Sequence, residues 1–198
     1  IDGALDDKKQ AKVFAKAILH NAERLTDMVS SLLDLSRIEY GELKLNFQEI
    51  DLNKFFENFI TSISNLSKKK NINILYKPNH DGLIKGDLQA IERIMNNLID
   101  NAIKYSDEGS DIEISTENDE KYIKVMVADS GSGISEEDQD HIFSRFYRTA
   151  SARATDNQGS GLGLAIVKHL VNNLNGDVGI DSKEQSGSIF WFSLPKTQ

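Results

Sequence analysis

Hydrophobic and polar positions over the first forty residues follow a helical period. From Asp7 to Tyr40 the chain contains neither glycine nor proline. Apolar residues recur there at steps of three and four, with Asn21 as the one polar member of the series: Phe14, Ile18, Leu25, Met28, Leu32 and Leu35. This heptad pattern predicts a long helix that ends at Gly41 and packs its seam against partner helices, with Asn21 setting the register or the number of partners.

Beyond Gly41 the pattern changes to short segments, which places a domain boundary near residues 41 to 44. Alternating apolar residues predict strands at residues 43–47, 72–76, 83–85, 112–116, 122–128, 178–182 and 188–194. Helical periods predict a helix that Asp51 caps and that carries Phe55 to Ile63, and further helices at residues 87–105, 136–146 and 162–174. Strand pairs interleaved with three main helices predict a two-layer α/β sandwich, with a mixed sheet on one side and helices on the other.

The composition suits one ordinary domain with one extra element. The chain has 198 residues, of which 39% are hydrophobic. A formal net charge of −8 argues against a nucleic-acid partner, because phosphate contacts need clustered lysine and arginine. Lys68 to Lys70 form the only tight basic run. We interpret this run as the solvated end of a helix, where cations interact favourably with the helix dipole.

Cysteine is absent from the chain. This excludes disulfides, thiolate zinc sites and cysteine nucleophiles, and it fits a reducing, cytoplasmic setting. No apolar run approaches the roughly 20 residues that span a bilayer, so we expect a soluble domain. The sequence opens at Ile1 without a start methionine. We therefore expect it to be a piece of a longer protein, whose membrane anchoring stays open.

The helix predicted at residues 87–105 carries a polar face. A spacing of four puts Asn97, Asn101 and Tyr105 on one side of it, with Lys104 one step round. An amide oxygen is a hard, neutral ligand that suits Mg²⁺. Two asparagines on a helix are, by themselves, more often ordinary polar positions, so this face alone is a weak signal.

The segment from Asp129 to Ile134 directly follows the strand predicted at residues 122–128. Gly131 and Gly133 let the backbone approach a flat ligand closely, and the Asp129 carboxylate can accept a hydrogen bond from an exocyclic amine. Turns with two glycines and an aspartate are common, however. By itself this loop also remains a weak signal.

A second glycine-rich segment opens the helix predicted at residues 162–174, and it consists of Gly159, Ser160, Gly161, Leu162, Gly163 and Leu164. Free N–H groups and the positive end of the helix dipole favour phosphate there. The pattern is not a Walker A loop, since no Gly-Lys-Ser/Thr follows, and not a Rossmann fingerprint, since no strand precedes it. The polar segment from Thr149 to Gln158 fits either a mobile lid or a plain surface loop.

In this order and with these gaps, the motifs resemble those of the sensor histidine kinases of two-component signalling, which share the Bergerat ATP-binding fold. The asparagine box of that family resembles Asn97 to Tyr105, its two glycine boxes resemble Asp129 to Ile134 and Gly159 to Leu164, and its phenylalanine box resembles Ile142 to Arg148. The resemblance extends through Gly187 to Phe190 and back to Arg24, Leu25 and the segment Leu32 to Glu39 in the first helix. It covers nearly the whole chain.

The resemblance implies ATP and Mg²⁺ as cofactors. It implies that Asn101 coordinates Mg²⁺, that Asn97 supports the metal or its water, and that Asp129 binds the adenine amine. Lys104 and Arg148 would reach phosphates and, with Asn97, act in catalysis. The remaining implied nucleotide contacts are Tyr105, Gly131, Gly133, Ile134, Gly159, Ser160, Gly161, Leu162, Gly163 and Leu164. Phe143 and Phe146 would anchor the lid by packing.

The resemblance also implies an organisation and partners. Residues 1–41 would be part of a dimerisation and phosphoacceptor domain, and residues 42–198 the catalytic ATP-binding domain. The intact protein would form a homodimer through a helical hairpin and would pass phosphate to an aspartate in the receiver domain of a response regulator.

The acceptor histidine of the family lies in a motif resembling His-Glu-x-x-x-Pro. The chain has two prolines, and neither lies five residues after any of its histidines, which are His20, His80, His141 and His169. We therefore expect residues 1–6 to be the end of the acceptor helix and the turn after it, with the acceptor lying upstream. This chain alone should bind ATP without autophosphorylating.

Two other classes of function stay open. One is an ATP hydrolase or ATP-driven clamp similar to the gyrase, chaperone and mismatch-repair members of the same fold. Those proteins carry a glutamate, four residues before the metal-binding asparagine, that activates water, and this chain has Asn97 there, which cannot act as a general base. The other class is a nucleotide-binding or dimerisation module without kinase activity.

Overall fold

A computed structural model of the chain describes residues 8–68, 70–79, 83–156 and 159–197. The helices are α1 (Lys8–Glu39), α2 (Leu52–Lys68), α3 (Leu88–Tyr105), α4 (Glu136–Gln139), α5 (Ala150–Thr155) and α6 (Gly163–Asn173). The strands are β1 (Gln48–Ile50), β2 (Asn73–Lys77), β3 (Ile84–Gly86), β4 (Asp111–Asn118), β5 (Tyr122–Asp129), β6 (Asp177–Ser182) and β7 (Ser188–Pro195). The turn predicted at residues 1–6, His80 and residues 157–158 of the predicted lid lie outside the described residues.

Five strands form one mixed sheet in the order β2-β4-β5-β7-β6. β2 runs parallel to β4, and the other neighbours are antiparallel. β1 and β3 form a separate antiparallel pair. Alternate residues of the central strands are buried and face the helices, among them Ile112, Ile114, Ile123, Val125, Val127 and Phe192. The predicted two-layer α/β sandwich with a mixed sheet is confirmed.

Helix α3 lies at the centre of the core. Its buried residues are Ala90, Ile91, Ile94, Met95, Leu98, Ile99 and Ala102. Asp87 caps the helix, because one carboxylate oxygen accepts a hydrogen bond from the N–H of Ala90 at 2.8 Å. The other oxygen accepts from the N–H of Asn46 at 2.7 Å. One nearly buried carboxylate therefore fixes both the start of α3 and the segment that leads into β1.

The strand predicted at residues 43–47 is wrong. This stretch is irregular, with Leu43 and Phe47 exposed, and the N–H of Asn46 is used by Asp87 rather than by a ladder. The strand lies a few residues later, at β1, because the three residues of β3 form their ladder with Gln48 to Ile50. Sequence alternation alone could not identify which residues would find a partner.

The helix predicted at residues 136–146 is also wrong over most of its length. Only α4 is helical, and turns follow it. Phe146 has a φ of 60°, outside the helical region, and its N–H donates to the carbonyl of Gly161 at 2.9 Å. The helix does not continue here, because the backbone of Phe146 bonds the second glycine segment instead. Helix α5 is the opposite case, since it lies in a segment predicted as a lid or loop.

The first part of α1 leaves its apolar seam uncovered. Phe14 is 55% exposed, Ile18 69% and Leu25 60%. Such a seam needs partner helices, and none of the described residues covers it. Despite its length, α1 is amphipathic rather than wholly apolar, and no helix in the described ranges has the length and hydropathy to cross a membrane.

The last turns of α1 pack on the α/β layers. Leu35 and Ile38 are buried in the common core. Beside them, the guanidinium of Arg93 in α3 donates to the Asp34 carboxylate at 2.6 Å, in a half-buried ion pair. The end of α1 is thereby fixed against α3, as the buried positions of its seam require.

We predict that Asp87→Ala lowers the free energy of unfolding by about 2 kcal/mol or more. The change removes a helix cap, worth about 0.5–2 kcal/mol, and leaves the Asn46 N–H without its acceptor, at about 1–3 kcal/mol. Urea unfolding at pH 7 measures the loss. Asp51→Ala is the matched control, since the side chain of Asp51 accepts from the N–H groups of Asn53 and Lys54 at the start of α2 and, among the described residues, from no second segment. A loss for Asp87→Ala no larger than that of the control would contradict the double role.

Candidate functional site

The three motif segments meet at one cleft between α3, the loop after β5 and the start of α6. The cleft encloses about 200 Å³, which is more than roughly ten times the space that one water molecule needs. The predicted residues that line it are Asn97, Asn101, Lys104, Tyr105, Asp129, Gly133, Ile134, Arg148, Gly159, Ser160, Gly161, Gly163 and Leu164. Gly131 and Leu162 do not line it, and Leu162 is a fully buried core residue.

The polar face of α3 forms one wall of the cleft. The Asn97 side-chain N–H donates to the carbonyl of Arg93 at 2.8 Å, which turns the amide oxygen toward α6. A Cβ on Gly163 would lie 2.8 Å from that oxygen. A glycine at this position therefore allows the first turn of α6 to approach α3 closely. Asn101, one turn along, lines the cleft as well.

Asp129 ends β5 and lines the cleft. Its carboxylate accepts a hydrogen bond from the N–H of Gly131 at 2.9 Å. Burial raises the pKa of Asp129, although the N–H groups of Gly131 and Ser188 oppose that shift. The ionised form is thus disfavoured by desolvation. A desolvated carboxylate that lines a cleft is typical of a functional site.

The start of α6 presents backbone donors to the cleft. Leu162 occupies the cap position, and no side chain among the described residues caps the helix there. Gly163 and Leu164 of the first turn line the cleft. The N–H groups of a helix's first turn have no partner within the helix, and together with the dipole they favour an anion.

Arg148 joins α5 to the second glycine segment. Its guanidinium donates to the carbonyl of Gly159 at 3.0 Å and to that of Ala152 at 2.8 Å, and it also bonds the carbonyl of Asp156. A cation at the end of α5 interacts favourably with the helix dipole. At the other end, the Thr149 hydroxyl accepts from the N–H of Ala152 at 3.0 Å. This six-residue helix is therefore held at both ends.

The phenylalanine box is only partly as predicted. Phe143 packs against the core, but Phe146 is 54% exposed, so the prediction that it anchors the lid by packing is wrong. The left-handed backbone of Phe146 accompanies this exposure. Tyr147 packs against the core instead, and its hydroxyl donates to Asp138 at 2.5 Å. This hydrogen bond lowers the pKa of Asp138 and raises that of Tyr147.

Several lining residues escaped the sequence prediction. They include Ser31, Asp100, Tyr147, Ser188 and Phe190. Asp100 could have been found, because it lies inside the asparagine motif four residues before Lys104. Burial raises its pKa, and the charge of Lys104 partly opposes the shift. Ser31 belongs to α1 and reaches the cleft only through tertiary packing, for which the sequence offers no signal.

These groups define a ligand with two chemically different ends. The carboxylate of Asp129 and the closely approaching glycine loop suit a flat ring with an amine. Lys104, Arg148 and the start of α6 suit an anionic group. The described residues contain no cluster of three or more His, Cys, Asp or Glu that could hold a metal. Any metal here would take most of its ligands from the bound molecule and from water.

Comparisons with known proteins show the family to which the chain belongs. Residues 86–198, more than half of the chain, match the family described as histidine kinase-, DNA gyrase B- and HSP90-like ATPases. The sensor-like histidine kinase SenX3 of Mycobacterium tuberculosis is 36% identical over 190 residues, which cover 96% of this chain and 46% of that protein. The sensor histidine kinase WalK of Bacillus subtilis is 32% identical over 197 residues, which cover 98% of this chain and 32% of that protein.

A solved structure shares the fold over almost the whole chain. The histidine kinase ThkA, in complex with the response regulator protein TrrA, superposes with a TM-score of 0.78 at 28% identity, over 98% of this chain and 54% of that one. The chain thus spans half or less of the curated relatives named above. The chain belongs to the family of histidine kinase-, DNA gyrase B- and HSP90-like ATPases, within which its similarity runs to sensor histidine kinases.

Proposed function

We propose that this chain is the ATP-binding catalytic part of a sensor histidine kinase. It transfers the γ-phosphate of Mg-ATP to a histidine, from which an aspartate of a response regulator receives it. The observation that carries this proposal is the single cleft in which Asn101, Asp129 and the second glycine segment come together. The three together are more specific than any one of them, and the fold brings all three to one ligand-sized space.

Asp129 and Lys104 set the orientation of the nucleotide in the cleft, with the base at Asp129 and the phosphates at Lys104. Asp129 accepts a hydrogen bond from the adenine amine, and Tyr105 lines the base or sugar pocket. Lys104, the start of α6 and Arg148 meet the phosphates. A guanidinium has five N–H donors, so Arg148 can hold Gly159, Ala152 and Asp156 and still reach a phosphate oxygen.

The donor set fits Mg²⁺. Asn101 offers a neutral amide oxygen on the cleft wall, and the rest of an octahedral shell would come from phosphates and water. The chemistry that the ion would supply is positive charge to offset the negative charge that develops on the phosphate during transfer. Asn97, whose amide N–H is held by the Arg93 carbonyl, supports this wall one turn away. The protein's own part is positioning and charge stabilisation, because phosphoryl transfer needs little covalent help.

The acceptor histidine is not one of those in this sequence. None of the four is followed by a proline five residues later. His141 is exposed on the turn after α4, and His169 lies on α6 with its pKa lowered by burial and by the charges of Arg145 and Lys168. The side chain of His20 and the whole of His80 lie outside the described residues. We infer that the acceptor belongs to a helix upstream of α1 in the longer protein.

We further propose that the longer protein is a homodimer joined through α1 and the upstream helix, and that a receiver domain is its phosphotransfer partner. The exposed seam supports the first point, because an apolar stripe of this length needs partner helices. The second point draws on ThkA, whose structure was solved with a response regulator.

Asn101→Ala tests the proposed activity in the full-length protein. We expect acid-labile, base-stable label from γ-labelled Mg-ATP on the upstream histidine of the wild type. The variant should carry at least about tenfold less, because losing only an outer-shell partner of a metal ligand already costs about 10- to 100-fold and Asn101 is the proposed ligand itself. Asn96→Ala is the matched control, since Asn96 is an exposed asparagine of the same helix outside the cleft. Free phosphate without labelled protein would favour a hydrolase, and nucleotide binding without transfer would favour a binding module.

Asp129→Asn should separate stability from binding. The folded-state pKa of Asp129 is raised, so its protonated form stabilises the folded chain. This stabilisation is present below the ordinary pKa of 3.8 and is lost as the pH rises through the raised pKa. At pH 7 the neutral asparagine should therefore leave the thermal midpoint of the free chain equal or higher. Its affinity for ATP should fall about tenfold or more, since a good charged hydrogen bond is lost.

The same carboxylate should give ATP binding a pH dependence. As the pH falls through the raised pKa of Asp129, the wild type should lose affinity relative to Asp129→Asn, and the ratio of the two dissociation constants should approach one. Titration calorimetry at a series of pH values measures this ratio. A ratio that stays constant down to the unfolding pH would contradict the role of Asp129 as the acceptor.

Leu25→Glu should weaken the proposed dimer. Leu25 is 60% exposed in the chain, and its burial in a dimer would contribute about 1.5–3 kcal/mol per copy. We expect the dimer dissociation constant of the longer protein to rise at least about tenfold in sedimentation equilibrium. Ser30→Glu adds the same charge on the face opposite the seam and should change little. Equal effects of the two substitutions would exclude the seam as the interface.

A further inference from the structure

Lys70 lies between α2 and β2, outside every motif that defines the cleft. Its ammonium group donates to three backbone carbonyls at the end of α3: those of Ile103 at 2.9 Å, Lys104 at 2.9 Å and Ser106 at 3.0 Å. From the sequence we interpret the basic run that contains Lys70 as the solvated end of a helix. For Lys70 this interpretation is wrong, because its ammonium group is bonded to the end of α3 rather than solvated.

The end of α3 depends on outside donors. The last four carbonyls of a helix lack partners within it. The N–H of Ser106 reaches the carbonyl of Ala102 at 3.0 Å, and Lys70 supplies donors to Ile103 and Lys104. A positive charge at the negative end of the dipole adds to these bonds. All three protons of the ammonium group are used, so the geometry of the last turn is fixed from one point.

Lys70 is itself held by the backbone around it. Its carbonyl accepts from the N–H of Gly109 at 3.1 Å, and its N–H donates to Ser67 at 3.1 Å. Two residues later, the N–H of Ile72 also donates to Ser67, at 3.0 Å. The ammonium group thus projects from an ordered turn rather than from a free loop.

The turn that Lys70 fixes contacts the first glycine loop directly. Tyr105 lies between two of the carbonyls that Lys70 bonds, and its own carbonyl lies against Gly131. A Cβ on Gly131 would be 2.5 Å from the Tyr105 oxygen. Because the N–H of Gly131 donates to the Asp129 carboxylate, a displacement of the Tyr105 backbone would be transmitted to the carboxylate at the cleft wall.

We propose that Lys70 is a positioning residue for the adenine end of the nucleotide site. It acts by holding the last turn of α3 against the Gly131 loop, and so sets Tyr105 and Asp129 in place. Lys70 does not line the cleft itself. This inference rests on the proposed nucleotide function and adds a residue from outside its motifs.

The test uses Lys70→Met, which keeps an unbranched side chain up to the ε position and removes the ammonium group with its charge and donors. We expect the dissociation constant for Mg-ADP to rise about tenfold, equivalent to one lost charged hydrogen bond. Binding is followed by displacement of a fluorescent ADP analogue, well below the unfolding midpoint of each variant. Because the base end is affected, the preference for ADP over GDP should fall with it. Lys70→Arg keeps the charge and should restore much of both.

Ile63→Val is the stability control, since it trims a buried residue of α2 away from the cleft. It should lower the unfolding midpoint and leave ADP affinity and base preference unchanged. If Lys70→Met also loses only stability, with both binding readouts intact, Lys70 is structural and the inference is overturned. If the wild type binds no adenine nucleotide, the proposed function itself fails, which is a different outcome.

Discussion

The burial of one face of α3 is the constraint on which the rest of this structure depends. Its apolar residues fill the centre of the core between the sheet and the neighbouring helices. An α-helix that buries one stripe must present the opposite stripe elsewhere. In α3 that second stripe carries Asn97, Asn101 and Tyr105, so packing of the core also aims the polar groups at the cleft. Stability and site geometry are therefore set by the same helix.

The walls that face α3 are held by backbone contacts rather than by large side chains. Gly163 lets α6 approach the Asn97 oxygen, and Gly131 lets the loop after β5 approach the Tyr105 carbonyl. Backbone at such distances leaves peptide N–H groups near a ligand, which suits phosphate at one wall and a flat base at the other. Each glycine segment contacts α3 at a different turn, Gly163 at Asn97 and Gly131 at Tyr105. The two segments can therefore contact different parts of one ligand.

Sequence patterns predicted the elements that bury regular stripes and missed those fixed by single tertiary contacts. The helix at residues 87–105 and the strands that pair in the main sheet follow their periodicity closely. The helix predicted at residues 136–146 fails because Phe146 leaves the helical region to bond Gly161. Ser31 and Lys70 illustrate the same limit for the site. Their positions depend on how α1 and α2 pack, which a periodic pattern in one segment does not contain.

Asp129 and Arg148 differ in how well their charges are partnered before a ligand binds. Burial disfavours the Asp129 carboxylate in the free chain, whereas a bound amine would supply the partner that water no longer provides. Arg148 already has carbonyl partners in α5 and at Gly159, and its remaining N–H donors can meet a phosphate while these contacts are kept. A ligand at the base end would relieve a desolvated charge. A phosphate at the other end would add a partner to a guanidinium that already holds the short helix.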